Sequence, residues 1–118
     1  MNVIVPAGVQ SRRLPREVMS AYRGPFAERA SREPTHVFPR EIPRSHDCLA
    51  TVQKGLVRLE DLPVLLLWGA RDPAFREAER RRFERAFPKH RTVVPGDAGH
   101  FIQEDAAKEI VEEISGWA

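Results

Sequence analysis

The chain has 118 residues, 42% of them hydrophobic and 31% charged, with a formal net charge of +2. That is enough for one small soluble domain with a modest core, and too mild a charge to argue for a nucleic-acid or membrane partner. The single cysteine, Cys48, excludes an internal disulfide and fits a reducing, cytoplasmic setting, while no apolar run is long enough to span a bilayer.

Met1-Asn2-Val3-Ile4-Val5-Pro6 is apolar but short, has no basic lead-in and meets a proline at once, which is not the pattern of a signal peptide. Six of the ten prolines (Pro6, Pro15, Pro25, Pro34, Pro39 and Pro43) fall in the first 43 residues, and from Pro25 to Pro43 they preclude a long helix. A short helix fits Pro15 to Arg23, with Val18 and Tyr22 on one face and Gly24-Pro25 as its stop. Leu14 cannot cap its free N–H groups, so this helix is weakly specified. The first 43 residues read as an irregular lid fragment, not a self-sufficient core.

The pattern then becomes regular. A helix is predicted from about Asp47 to Leu59, capped by Ser45, with Leu49, Val52, Leu56 and Leu59 as its apolar stripe. Cys48 on this helix reads as a small buried hydrophobe. The unbroken run Val64-Leu65-Leu66-Leu67 suits a strand buried on both faces, as in parallel α/β sheets. Gly69 ends it and leaves Asp72 on the loop at the strand's carboxyl end, where such sheets place their chemistry. A helix from Ala74 to Phe87 follows, burying Phe75, Ala78, Phe83, Ala86 and Phe87. Its outer arginines alternate with acids, and helical spacing pairs Glu77 with Arg81 and Arg80 with Glu84. That makes a solvated face, not a nucleic-acid surface.

Arg91 to Pro95 is the second strand and ends in Gly96-Asp97-Ala98-Gly99-His100-Phe101. The last helix is expected to start near Glu104-Asp105, acids suited to the positive end of a helix dipole. It should bury Ala107, Ile110, Val111, Ile114 and Trp117. Strand, helix and strand make one βαβ unit, whose crossover brings both loops to one sheet edge. Asp72 can then meet His100, 28 residues later, as two members of a catalytic triad. Taken alone, Asp72-Pro73 also reads as a turn and helix-start signal, and His100 as a turn residue. His36, His46 and His90 have no metal-ligand spacing, and no metal or cofactor is expected.

Pro-Val-Leu-Leu-Leu-Trp-Gly-x-x-Asp-Pro from Pro63, then Asp-Ala-Gly-His-Phe-Ile-Gln-Glu-Asp from Asp97, resembles the C-terminal part of α/β-hydrolases, and more narrowly their haloalkane dehalogenase-like branch. Ala21-Tyr22-Arg23-Gly24-Pro25-Phe26, Ser31-Arg32-Glu33-Pro34 and Phe38-Pro39-Arg40-Glu41-Ile42-Pro43 resemble the end of that branch's cap. The resemblance covers nearly the whole chain. It implies residues 1–43 as the end of a cap and 44–118 as the end of the hydrolase core. It also implies an α/β fold of two parallel strands with flanking helices, and a triad base at His100 with its acid at Asp72. A small hydrophobic substrate would be lined by Phe38, Pro39, Ile42 and Phe101.

The nucleophile elbow, Gly-x-Asp/Ser-x-Gly, is absent from the 118 residues. The resemblance is therefore to the last third of an enzyme. For the parent it implies attack by an Asp, then hydrolysis of the alkyl ester by a His-activated water. Epoxide, ester or β-lactone chemistry on the same fold stays open, as does a non-enzymatic chain that binds a partner through its exposed sheet edge; the isolated chain is expected to self-associate through that edge.

Overall fold

In the computed structural model, which describes residues 4–117, the two apolar runs pair as a parallel two-stranded sheet, β1 (Val64–Leu67) and β2 (His90–Val93), in the register Val64↔His90 to Leu67↔Val93. Parallel strands need a crossover, and the helix α5 (Glu77–Ala86) supplies it. Upstream lie α1 (Ile4–Gly8), α2 (Arg16–Arg23), α3 (Glu33–Glu41) and α4 (His46–Gly55); downstream lie α6 (Ile102–Asp105) and α7 (Ala107–Trp117).

The proline-rich segment is more ordered than its composition suggests. Tight turns at Gly24–Phe26 and Ala30–Arg32 lead into α3. Pro34 sits in the first turn of α3, where no N–H is required, and Pro39, inside it, withholds one. The helix ends two residues later, so it is short, as the prolines require, but the segment is not irregular. Pro15 precedes α2 as its N-cap, without a side-chain cap, and Leu14 is turned inward instead.

The buried cluster is Val5, Val9, Leu14 and Met19, with Val18, Tyr22 and Phe101 packed on it. The apolar centre thus lies in the first 19 residues, not under the sheet. Phe101 reaches back from the loop after β2 to pack on this cluster beside Val18 and Tyr22, 82 residues after Met19. Several expected stripes are correspondingly exposed. Leu49 and Val52 on α4 are 53% and 57% exposed, and Val111 and Ile114 on α7 are 63% and 53% exposed. β1 is half-buried because β2 covers only one of its edges. Cys48 is exposed, not buried.

Helix boundaries shift for local reasons. The predicted helix over 47–59 is regular only to Gly55 and tightens to a 3₁₀ turn over Leu56–Leu59. α5 starts three residues after Ala74, because the Asp72 carboxylate first takes the N–H groups of Ala74 and Phe75, and Glu79 then caps Arg76. Phe75 and Phe83 remain about half exposed. Its outer face carries the expected pairs, Glu77 with Arg81 at 2.6 Å and Arg80 with Glu84.

Gly69 sets how closely the loops after β1 and β2 approach. A side chain there would strike the backbone oxygens of Gly99 and Ala98, so only glycine lets the loop after β1 lie on the loop after β2. Gly69→Ala should lower stability by about 1–3 kcal/mol, as overpacking does. Gly96→Ala, where a side chain meets open space, should stay within about 0.5 kcal/mol. Denaturant midpoints of the two variants check this: equal midpoints contradict it.

Candidate active site

The two loops are zipped together before any side chain is considered. Ala70 N–H donates to the Pro95 carbonyl at 3.2 Å and Arg71 N–H to the Ala98 carbonyl at 2.9 Å. Asp72 and His100 are thereby placed side by side, with His100 Nδ1 3.0 Å from Asp72 Oδ2 and 3.2 Å from Oδ1. The acid is nearly enclosed, its side chain 8% exposed, whereas a third of the His100 side chain reaches solvent.

Burial alone would raise the Asp72 carboxyl. The N–H groups of Phe75 and Ala74 and the His100 ring outweigh it and hold Asp72 below the ordinary carboxylate range. An ionised acid facing Nδ1 fixes the tautomer with the proton on Nδ1. It leaves Nε2, which makes no hydrogen bond among the described residues, as the basic nitrogen. That is the arrangement of a general base with its orienting acid.

The ring is held on two sides. Phe75 stacks on it at 5.4 Å with the planes 25° apart, and Phe101 meets it edge-on at 5.4 Å and 89°. Phe75 is itself fixed, since its carbonyl accepts from Trp68 Nε1 at 2.7 Å. Phe101 also meets Tyr22 edge-on, and its N–H donates to the Gly8 carbonyl at 3.1 Å. The structure thus brings together Asp72, His100 and Phe101. Phe38 and Pro39 lie on α3 and Ile42 follows its last residue, with Phe38 69% and Ile42 53% exposed, and no ring contact joins Phe38 to His100.

Two residues of this site escaped sequence reasoning. Phe75 reads there as a buried helix position; it lies before the helix and faces the base. Asp105 reads as a helix-dipole acid, but it closes α6 and turns its carboxylate toward a distant loop. It accepts from the N–H groups of Gln10, Ser11 and Gly99 and from the Ser11 hydroxyl. Partners that lie 94 and 95 positions away left no local signal.

A family profile described as "alpha/beta hydrolase fold" matches residues 6–107. The chain belongs to that family. It is 34% identical over 113 residues to haloalkane dehalogenase 2 of Mycobacterium tuberculosis, covering 94% of this chain and 39% of that protein. It is 33% identical over 128 residues to the haloalkane dehalogenase of Mycobacterium marinum, covering 97% of this chain and 40% of that protein. The crystal structure of haloalkane dehalogenase DbeA from Bradyrhizobium elkani superposes with a TM-score of 0.83 at 32% identity, over 97% of this chain and 40% of DbeA. The chain therefore spans about two-fifths of the length of these relatives and fits the C-terminal part of the hydrolase fold. Among the described residues no helix is long and apolar enough to cross a membrane.

The carboxylates of this α/β-hydrolase chain give it a defined acid response. Burial would raise Asp105, but the Ser11 hydroxyl and the amides of Gly99, Gln10 and Ser11 bring it from the usual 3.8 to about 2. A folded-state value below the unfolded one contributes stability that is fully present above pH 3.8 and is lost as pH falls through about 2. Discounted for partial exposure, the contribution is about 1–2 kcal/mol. Acid unfolding of Asp105→Asn should accordingly be flatter between pH 4 and 2 than that of the parent chain. Parallel acid titrations followed by far-UV circular dichroism would contradict this if they coincided.

Proposed function

We propose that this chain supplies the water-activating half of a haloalkane dehalogenase-like hydrolase. The observation that carries the reading is the His100 Nδ1 to Asp72 Oδ2 contact of 3.0 Å at the carboxyl edge of two parallel strands. In this reading residues 1–43 are the end of the cap and 44–118 the end of the catalytic core. Phe38, Pro39 and Ile42 form the cap-side wall for a small hydrophobic substrate, and Phe101 the wall beside the base.

The reaction runs on side chains and water. A nucleophilic Asp, on an elbow that these 118 residues do not contain, attacks the halogen-bearing carbon; the carbon–halogen bond breaks and halide leaves. His100 Nε2 then takes a proton from water, and the hydroxide attacks the ester carbonyl. The alcohol leaves with that proton, and the carboxyl left on the Asp gives its own proton to solvent, so the carboxylate is regenerated and halide, alcohol and one proton are the products. Asp72 orients the ring and stabilises the imidazolium while it is charged.

A second reading has its own support. The chain is 31% identical over 109 residues to the cis-3-alkyl-4-alkyloxetan-2-one decarboxylase of Xanthomonas campestris, so a β-lactone is the alternative electrophile.

Trapping the intermediate tests both. The chain is completed with the N-terminal part of the Mycobacterium marinum relative, and His100→Gln is introduced. With a haloalkane it should release about one equivalent of halide and keep the alkyl group as a mass adduct, because attack needs no base while hydrolysis does. The uncompleted chain should release none. An unmodified His100→Gln protein that releases no halide, in a completed chain that opens an oxetan-2-one, would overturn the dehalogenase reading in favour of the β-lactone one.

The chain by itself should self-associate. β1 has an open edge and the apolar residues of α4 and α7 face outward, a combination that recruits further strands and apolar surface. Sizing should show species well above 13.5 kDa. A sharp monomer peak with a cooperative melt would contradict this.

A further inference from the structure

Asp105 stands outside the acid–base pair, yet its hydrogen bonds converge on the residue next to the base. Its Oδ2 accepts from Gly99 N at 2.8 Å and from Gln10 N at 3.0 Å. Its Oδ1 accepts from Ser11 N at 2.7 Å, Ser11 Oγ at 2.6 Å and Gln10 N at 3.1 Å. On the other side of the base, Phe101 N–H donates to the Gly8 carbonyl at 3.1 Å. Both neighbours of His100 are therefore tied to the single segment 8–11, one by its backbone oxygen and one through the Asp105 carboxylate. Space is closed as well: a side chain at Gly99 would lie 2.5 Å from the Gly8 oxygen, and one at Gly8 would lie 2.5 Å from the Phe101 ring.

A helix-dipole role does not account for this geometry. Asp105 is the last residue of the four-residue α6, and its carboxylate accepts none of that helix's own N–H groups. A surface charge does not account for it either, since every oxygen of the carboxylate is engaged by chain from two other segments.

We infer that Asp105 is the positioning residue for the base: by clamping Gly99 and the 10–11 amides on one carboxylate, it sets the backbone from which His100 presents Nδ1 to Asp72. The inference rests on the reading of Asp72 and His100 as an acid–base pair. A carboxylate is the group suited to the task, because a charged acceptor binds amides about twice as strongly as a neutral one and can take several at once. The clamp acts at one residue's remove, so its loss should let the His100 ring drift from Asp72 and change which nitrogen holds the proton.

The tautomer of His100 is thus the readout, and mere loss of packing elsewhere would not move it. Protein labelled with 13C,15N-histidine is sedimented and read by magic-angle-spinning NMR at pH 8, so the association state does not matter. His100→Gln identifies the His100 signals among the four histidines. In the parent chain His100 should carry its proton on Nδ1. Asp105→Ala should lower the ratio of Nδ1–H to Nε2–H by on the order of twofold or more, the low end of couplings within one hydrogen-bonded network. Asp105→Asn, which keeps one acceptor oxygen, and Ser11→Ala, which removes one donor, should give smaller losses in the same direction. These two decide the matter if Asp105→Ala fails to fold. A parent ring that already matches the ring in Asp72→Asn overturns the acid–base pair and this inference with it. An Nδ1–H signal that is present in the parent and unchanged in the Asp105 and Ser11 variants overturns this inference alone.

Discussion

Everything at the sheet edge depends on how closely three backbones can lie. Gly69 lies against the carbonyls of Ala98 and Gly99, Gly99 lies against the carbonyl of Gly8, and Gly8 lies under the ring of Phe101. Any side chain in this stack would separate the loops by the thickness of a methyl group. A hydrogen bond of 3.0 Å between Asp72 and His100 does not survive such a separation, because the interaction weakens steeply beyond about 3.2–3.5 Å. The chemistry of the pair is therefore a consequence of side chains that are missing nearby. Close approach also explains the direct amide–carbonyl bonds between the loops, which satisfy polar groups that would otherwise be covered without partners.

Two carboxylates flank the base and use the same physics at different range. Asp72 collects donors from residues two and three positions ahead and then from the His100 ring. Its local bonds hold the carboxylate on its own loop, so the ring meets an acceptor whose direction does not depend on the histidine alone. Asp105 collects donors from the far end of the described chain. Both are held below the ordinary carboxylate range by donated hydrogen bonds that outweigh burial. Both therefore stay ionised throughout and above the ordinary carboxylate range, which keeps the acceptors facing the His100 ring and the Gly99 amide charged there.

What could be read in the sequence follows from range in the same way. β1 and β2 are legible because a short, unbroken run of Val and Leu has few other uses. Asp72 and His100 are legible because each stands just past such a run, at a glycine. The start of α5 is misread by three residues, since Asp72 diverts the first amides into a turn of its own. The prolines keep α3 short, as expected, but the segment read as irregular is helical, because a nine-residue helix tolerates Pro39 near its end. The buried cluster of Val5, Val9, Leu14 and Met19 is the larger omission. Those residues show no clean period, and part of what packs on them is Phe101, which no local pattern connects to them. The outward stripes on α4 and α7 are the converse case: their period is correct, but a period says which face is apolar and not what covers it.

The contacts that assemble the acid and the base are all internal to residues 4–117. β1 and β2 set the register, Gly69 and Gly99 set the spacing, the Asp72 carboxylate is aimed by Ala74 and Phe75, and the ring is held between Phe75 and Phe101. None of them calls on a nucleophile. In a triad the nucleophile must come within hydrogen-bond reach of Nε2, and that is the nitrogen this arrangement leaves facing away from the acid. In the proposed reading, the His100 ring is oriented by contacts within this part of the fold, and what remains is to dock an elbow against its Nε2.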